Sequence, residues 1–135
     1  MKSIPKIELI NQVANAAVAR GHYSQAAVHG DTIYVSGQLG INPITQDVTV
    51  GTIEEQVENI LTSISSILKA ANSNLSMVVK ATIYLSDIKH WDRVNEVYNR
   101  FFGIHKPARI VIPVNGKFHL GFEVAVDVIA IKHMG

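Results

Sequence analysis

The segment TIEEQVENILTSISSILKAAN, residues 52–72, constrains the fold of this chain more than any other. Thr52 and Glu55 match a helix capping box, and Lys69 lies near the opposite end, where a cation suits the helix dipole. The apolar residues recur at helical spacing and predict one amphipathic helix. They are Ile53, Val57, Ile60, Leu61, Ile64, Ile67, Leu68 and Ala71.

Segments on both sides of this helix have the composition of β-strands. SQAAVHGDTIYVSGQ, residues 24–38, predicts a hairpin that turns at Gly30-Asp31, a pair that tolerates positive φ. Asn42-Pro43 indicates a loop after it. The other predicted strands are MVVKATIYLSD (77–87), residues 109–114 and, after a turn at Asn115-Gly116, FHLGFEVAVDVIAIK (118–132).

A second helix is predicted between the strands at 77–87 and 109–114. Ser86 or Asp87 can cap its start, and Gly103 is expected to end it. Its apolar side carries Trp91, Val94, Val97, Tyr98 and Phe101. The predicted order is β-β-(β)-α-β-α-β-β, with an optional third strand before the first helix. Each helix lies between two strands, as parallel crossovers require. We expect one domain over residues 1–135.

Composition excludes several classes of function. A formal net charge of +1 offers no electrostatic reason to expect nucleic acid or an anionic membrane as a partner. The absence of cysteine excludes thiol catalysis, cysteine-based metal sites and disulfides. No apolar run approaches the ~18 residues of a membrane-spanning helix. We therefore expect no membrane association and a cytoplasmic location.

The histidines and serines give weak signals for catalysis. No two of the six histidines have the i, i+4 spacing of a helical metal site, so we expect surface or hydrogen-bonded histidines and no metal. Ser36 lies in "VSGQ", which lacks the glycine pattern of a nucleophile elbow. A serine at a strand end usually hydrogen-bonds to backbone.

Arg109 stands out because it begins an apolar strand, in the stretch "KPARIVIPV". A strand that is apolar on both faces is expected to be covered on both. Arginine stays ionised in proteins, so Arg109 must reach either solvent or an anion. An ion-paired or snorkelling arginine is one interpretation, and a bidentate clamp for the carboxylate of a small ligand is the other. Composition does not choose between them.

Several motifs, in order, make the sequence resemble the RidA/YjgF family of reactive enamine/imine deaminases, formerly called the endoribonuclease L-PSP family. The resemblance extends from about residue 20 to 131. The family motifs GPYSQA, VSGQIP, VVKATVYL, VNEVYxxFF and KPARS correspond to GHYSQA (21–26), VSGQLG (35–40), VVKATIYL (78–85), VNEVYNRFF (94–102) and KPARI (106–110).

The resemblance implies an α+β fold of the chorismate-mutase-like type, with a mixed six-stranded sheet and two helices packed on one face. It also implies a homotrimer with ligand clefts between subunits. The carboxylate-binding arginine of the family corresponds to Arg109, and the remaining substrate-binding positions correspond to Tyr23, Ser36, Gly37 and Asn95.

The family reaction is the hydrolysis of 2-aminoacrylate and related 2-imino acids. The enamine tautomerises to an imine, water adds to the C=N carbon, and ammonia leaves to give a 2-keto acid. The chemistry needs a carboxylate anchor, a group that activates water and a partly dry cleft, but no cofactor. The expected partner is therefore a small imino or keto acid.

The final strand departs from the family pattern. The family sequence VEIEAIA aligns with VAVDVIA (124–130), so Ala125 replaces the glutamate that is placed to activate water, and Asp127 keeps the second acidic position. Glu123 lies two residues earlier, about 6–7 Å along the strand, and is the candidate to replace it.

Other departures are His22, Gly40 and the pair Ile110-Val111, where the family has proline, proline and Ser-Cys. Two functions therefore stay open. Tyr23, Ser36, Asn95 and Arg109 favour an imino-acid deaminase, with Arg109 and Glu123 as its catalytic residues. Ala125 and Ile110 favour a trimeric protein that binds small carboxylates with weak or no turnover. A ribonuclease, the third possibility, is disfavoured by the charge.

Overall fold

A computed structural model describes residues 6–133 of the chain. It contains one mixed six-stranded sheet with two α-helices on one face, so the predicted α+β architecture is confirmed. The strands are β1 (Ile7–Ile10), β2 (Ala26–His29), β3 (Thr32–Gln38), β4 (Val78–Leu85), β5 (Ala108–Pro113) and β6 (Val124–Ile131). The helices are α1 (Ile53–Ala70) and α2 (Trp91–Phe102).

Helix α1 forms as its capping pattern predicts. The Thr52 side chain accepts a hydrogen bond from the Glu55 backbone N–H, and the Glu55 side chain accepts one from the Thr52 backbone N–H. Ile60, Leu61 and Ile64 have no exposed surface. Burial of a side chain of this size stabilises a protein by about 1.5–3 kcal/mol, so the contact of α1 with the sheet dominates the core.

Helix α2 ends where predicted but begins differently. Gly103 takes φ = 61° just after the last turn, which residues other than glycine adopt at a cost. Asp87 caps a separate 3₁₀ turn, Ile88–His90, by accepting from the Lys89 N–H. That turn leads directly into α2, whose own first turn has no side-chain cap.

The sheet order is β1-β2-β3-β6-β4-β5. Strands β4 and β5 are adjacent and parallel, so α2 is the predicted crossover between them. Helix α1 connects β3 to β4, but β6 lies between these two strands and is antiparallel to both. The crossover through α1 therefore spans one intervening strand, and β5 becomes an edge strand.

Two strand predictions are wrong. The optional strand between the hairpin and α1 is not a strand, and the sixth strand is β1, which pairs antiparallel with β2. The final strand begins at Val124 and not at residue 118. Leu120 and Gly121 have positive φ, at 64° and 88°, which is incompatible with an extended strand.

One face of the sheet carries no helix. Its exposed apolar side chains are Ile7, Leu9, Tyr34, Ile110 and Ile131. The expectation that the strand after Arg109 is covered on both faces is therefore wrong within one chain, because Ile110 is 50% exposed. We call this surface, which also includes Thr82, Tyr84, Ala125 and Asp127, the open face.

Gly40 has a structural role. A Cβ atom added to it would lie 2.8 Å from the Gln56 Cα atom, because α1 packs directly against this backbone. The amide of the fully buried Gln56 continues the contact: its Oε1 accepts from the Glu123 N–H, and its Nε2 donates to the Gly51 carbonyl. The close approach of α1 explains a glycine at position 40.

We expect Gly40→Ala to lower the free energy of unfolding by about 1–3 kcal/mol, the usual cost of inserting a methyl group into a packed site. Gly37→Ala is the matched control, since a Cβ atom there has no neighbour within 4 Å and should leave stability nearly unchanged. Urea unfolding of both variants at one protein concentration measures the difference. Equal unfolding midpoints would show that the backbone at Gly40 relaxes freely.

Candidate functional site

Helix α2 presents one stripe of side chains to the start of β5. Trp91, Asn95, Tyr98 and Phe102 are spaced by four, three and four residues and so lie on one helical face. Arg109 is the second residue of β5 and is in register with Ala81 of β4, which is fully buried under the helices. Arg109 therefore points from the sheet edge towards α2.

The Arg109 guanidinium lies over two aromatic rings. Its central carbon is 4.8 Å from the centre of the Tyr98 ring and 5.2 Å from that of Trp91. Its Nη1 donates a 2.7 Å hydrogen bond to Asn95 Oδ1. Among residues 6–133, Arg109 forms no ion pair with an acidic side chain. The side chains that contact the guanidinium, Trp91, Asn95 and Tyr98, are therefore all neutral.

Tyr98 is nearly buried and stacks on Phe102, with ring centres 4.4 Å apart. Its hydroxyl has no hydrogen-bond partner among the residues that the structure describes. Burial raises the pKa of the Tyr98 phenol, and the charge of Arg109 opposes part of that rise. Tyr98 therefore stays neutral beside the guanidinium at physiological pH.

A cavity of about 520 Å³ opens next to this arrangement. Two cationic side chains, Lys106 and Arg109, are on its lining, and no acidic side chain of residues 6–133 is. The other lining residues are Asn95, Tyr98, Asn99, Phe102, Gly103, His105 and Pro107. A concave surface with two cations and amide donors is suited to an anionic small molecule.

The other predicted binding residues lie elsewhere in the chain. Tyr23 and Gly37 line a smaller cavity of about 70 Å³, and Ser36 lines a groove next to Leu9 and Tyr34. Strands β6 and β4 separate β3 from β5, the strand of Arg109. Within one chain the structure thus brings together Asn95 and Arg109 but not Tyr23, Ser36 and Gly37.

Ser36 and Gly37 form an irregular part of β3. The register with β6 shifts between Val35 and Gln38, so one extra residue is accommodated there as a bulge. The Ser36 hydroxyl donates a 2.6 Å hydrogen bond to the Ser24 carbonyl, the backbone contact that is usual for a serine at a strand end. Tyr23 is half exposed, and its hydroxyl accepts from the Arg20 N–H at 3.3 Å.

Glu123 is not close to Arg109 in the same chain. Val128 of β6 shares a row of the sheet with Arg109 through Ala81, and Glu123 lies five residues before Val128, about 16 Å along the strand direction. The Glu123 carboxylate accepts from the Ser86 hydroxyl at 3.3 Å, and its Oε1 lies 3.5 Å from His90 Nε2. It already has local partners.

Ala125 lies on the open face. It is in register with Tyr84, which is in register with Ile112 on the other side, so apolar groups surround the position where the family glutamate would stand. Asp127, the retained acidic position, accepts a hydrogen bond from the Tyr84 hydroxyl at 3.2 Å.

Residues 6–133 contain neither a metal-binding cluster nor a membrane-spanning helix. No group of three histidine, aspartate or glutamate side chains converges as a metal site would require. No helix in this part of the chain has the length and apolar character needed to cross a bilayer.

Comparisons with known proteins identify the family of the chain. The family model described as endoribonuclease L-PSP matches residues 13–132. The chain belongs to this family, the RidA/YjgF family. A curated relative, the 2-iminobutanoate/2-iminopropanoate deaminase of Bos taurus, is 39% identical over 126 residues, which cover 93% of this chain and 91% of the relative.

Solved structures of the family show the same fold. RidA from a Psychrobacter species superposes with a TM-score of 0.85 at 33% identity and covers 92% of this chain and 99% of its own. Escherichia coli TdcF, solved with bound serine, superposes with a TM-score of 0.85 at 25% identity and covers 93% of this chain and all of its own.

Sequence reasoning missed the aromatic residues that enclose Arg109. Trp91 and Tyr98 were predicted as part of the apolar side of α2, which their spacing supports equally well. The available signal was an arginine whose strand begins shortly after a helix with aromatic residues at i and i+7. Contact between that helix face and Arg109 depends on how α2 packs on β5, which spacing does not specify.

We expect Arg109→Lys to weaken the binding of 2-oxobutanoate by about 1.5–3 kcal/mol, because lysine keeps the charge but loses the planar two-donor geometry. Calorimetric titration measures the affinity, and circular dichroism monitors the fold. Arg100→Lys is the matched control on α2, since Arg100 pairs with Glu58 outside the cavity. Equal affinity of Arg109→Lys and the parent protein would make Arg109 a structural residue.

Proposed function

We propose that this protein is a hydrolytic deaminase of 2-imino acids, including the imine of 2-aminoacrylate, and that it binds them through the carboxylate as a homotrimer. The relative from Bos taurus is named as a deaminase of 2-iminobutanoate and 2-iminopropanoate, and at 39% identity over nearly the whole chain it supports this class of reaction.

One observation carries the proposal: the Arg109 charge lies at a cavity, and its one side-chain hydrogen-bond acceptor among residues 6–133 is the neutral Asn95. Asn95 occupies one N–H of a guanidinium that has five, so donors remain for a carboxylate. A carboxylate would complete a charge-assisted, two-donor contact. TdcF, solved with serine, is a relative whose bound molecule also carries a carboxylate.

The positions of the predicted binding residues favour a site between subunits. Tyr23 and Gly37 lie on the side of the sheet away from Arg109, so a ligand that contacts both sets needs two chains. The open face supplies the surface for assembly. It exposes several large apolar side chains on one side of a single sheet, a patch that monomeric proteins rarely leave to solvent.

Hydrolysis also needs a group that activates water, and the chain offers an altered arrangement. Alanine at position 125 removes the acidic group of the family, and Glu123 is engaged with Ser86 and His90. We propose Glu123 as the substitute base, since in an assembly it could face a cleft formed with a neighbouring chain.

A second candidate function is binding without appreciable turnover. The apolar surroundings of Ala125, with Ile112 in the same row and Ile110 two residues earlier on β5, favour it. In this case the Arg109 cavity would still bind small carboxylates. The two functions differ only in whether a water molecule is activated next to the bound ligand.

A coupled assay tests the proposed reaction. Serine dehydratase generates 2-aminoacrylate, semicarbazide traps the derived imine, and added deaminase should lower semicarbazone formation while pyruvate accumulates. We expect the parent protein to lower semicarbazone formation and to speed pyruvate formation. Arg109→Leu should have neither effect. A parent protein that leaves semicarbazone formation unchanged would contradict the deaminase and leave the binding function.

We expect Ala125→Glu to increase deamination, by as much as about 10²-fold if the parent lacks an efficient base. Ala125→Gln is the matched control, because it has nearly the same size and no carboxylate. Glu123→Gln should reduce the rate of the parent protein if Glu123 is its base. If the parent protein is slow and Ala125→Glu deaminates no faster than Ala125→Gln, the missing carboxylate does not limit the rate.

We expect a trimer in sedimentation velocity at micromolar concentration. Ile110→Lys places a charge on the open face and should shift the protein to smaller species, because the charge would be buried in the assembly. Ile104→Lys is the control: Ile104 is 99% exposed in the loop after α2. A monomeric parent protein would exclude both the trimer and a site between subunits.

A further inference from the structure

The Arg109 guanidinium lies over two aromatic rings, those of Trp91 and Tyr98. Phe102, Tyr98, Arg109 and Trp91 form a column in which each neighbour is 4.4–5.2 Å from the next. We call these four residues the aromatic column. We propose that Trp91 and Tyr98 are positioning residues, which hold the guanidinium plane so that only its N–H edges face a carboxylate.

Aromatic partners hold the Arg109 guanidinium without occupying its N–H donors. An acidic residue next to Arg109 would hold it equally well, but it would compete with the ligand for the same N–H donors. An aromatic ring attracts the cation through its face and leaves the donors in the plane unoccupied. Asn95 then sets the rotation within that plane through one neutral hydrogen bond, 2.7 Å long.

Burial strengthens this arrangement. Tyr98 is only 5% exposed, so its ring keeps water from the part of the guanidinium that it contacts, whereas Trp91 is 37% exposed. Attraction between the guanidinium and a carboxylate rises as water is removed. A guanidinium with a fixed plane also loses less side-chain entropy when it binds a planar carboxylate.

Phe102, at the end of α2, and His105, which follows the helix, connect the aromatic column to the sheet. Tyr98 stacks on Phe102, and Phe102 in turn approaches the His105 ring at 6.4 Å. His105 Nε2 lies 2.7 Å from the Val78 carbonyl of β4, which ties the end of the column to the sheet. The position of Arg109 thus depends on contacts that begin several residues away from the cavity.

This inference rests on the proposed function and names further residues of the same site, so the test separates the two. Trp91→Leu and Tyr98→Leu remove a ring, whereas Trp91→Phe and Tyr98→Phe retain one. We expect the leucine variants to bind 2-oxobutanoate about two- to thirtyfold more weakly, the range of a cation–π contact. The phenylalanine variants should recover most of the affinity, and Arg109→Leu should abolish binding.

Kinetics gives a readout that simple loss of folded protein would not produce. Weaker positioning of the carboxylate anchor acts equally on the substrate and the transition state, so KM should rise while kcat changes little. Partial unfolding would lower kcat at unchanged KM. Trp91 is the only tryptophan in the chain, so its fluorescence should also change when 2-oxobutanoate binds, and less so in Tyr98→Leu.

Four results would each overturn the positioning role of Trp91 and Tyr98. Parent-like affinity in both leucine variants, with binding lost in Arg109→Leu, would overturn the positioning role and leave the proposed function intact. Phenylalanine variants as weak as the leucine variants would also overturn it, because the ring face would then not be the cause. Parent-like binding by Arg109→Leu, or no binding by the parent protein, would overturn both.

Discussion

The packing of α1 on the sheet is the contact on which the rest of the structure depends. Ile60, Leu61, Ile64, Ile67 and Leu68 are all fully buried between the helix and the strands. Helix α2 then lies beside α1, and ion pairs from Arg93 to Glu54 and from Arg100 to Glu58 join their exposed sides. This placement sets which face of α2 meets β5, and so which side chains surround Arg109.

A permanent charge at the edge of an apolar sheet then requires compensation. The structure provides aromatic faces and one amide oxygen, and no carboxylate among the described residues. These groups offset part of the desolvation cost of the guanidinium without neutralising it. Because Arg109 lines the cavity, its remaining positive charge is available to a ligand there. An anionic ligand is therefore the simplest interpretation of this site.

The separation of Tyr23, Ser36 and Gly37 from Arg109 has a topological cause. Strand β6, the last in sequence, inserts between β3 and β4 and moves the hairpin away from β5. The chain therefore carries the predicted binding residues as two separate groups, together with an open apolar face. Assembly through that face would join the two groups from different subunits, which links oligomeric state to function in the proposed trimer.

The sequence alone determined the local elements and the family. The capping box of Thr52 and Glu55, the turn at Gly30 and the helix stop at Gly103 each depend on neighbours a few residues away, and all three were predicted correctly. The motif order identified the family, and the resemblance named Asn95 and Arg109 among the expected binding residues. These features are readable because short-range sterics and hydrogen bonding decide them.

Only the tertiary structure decided where distant segments meet. The start of β6 depends on Leu120 and Gly121, which have a left-handed backbone, and the next residue, Phe122, is buried with Ala17 and Ile41. Gly40 lies directly against α1, and Trp91 and Tyr98 lie close to Arg109 because α2 packs over β5 with one particular rotation. Each of these contacts joins residues whose separation in sequence carries no signal, because packing of complete layers, and not local propensity, brings them together.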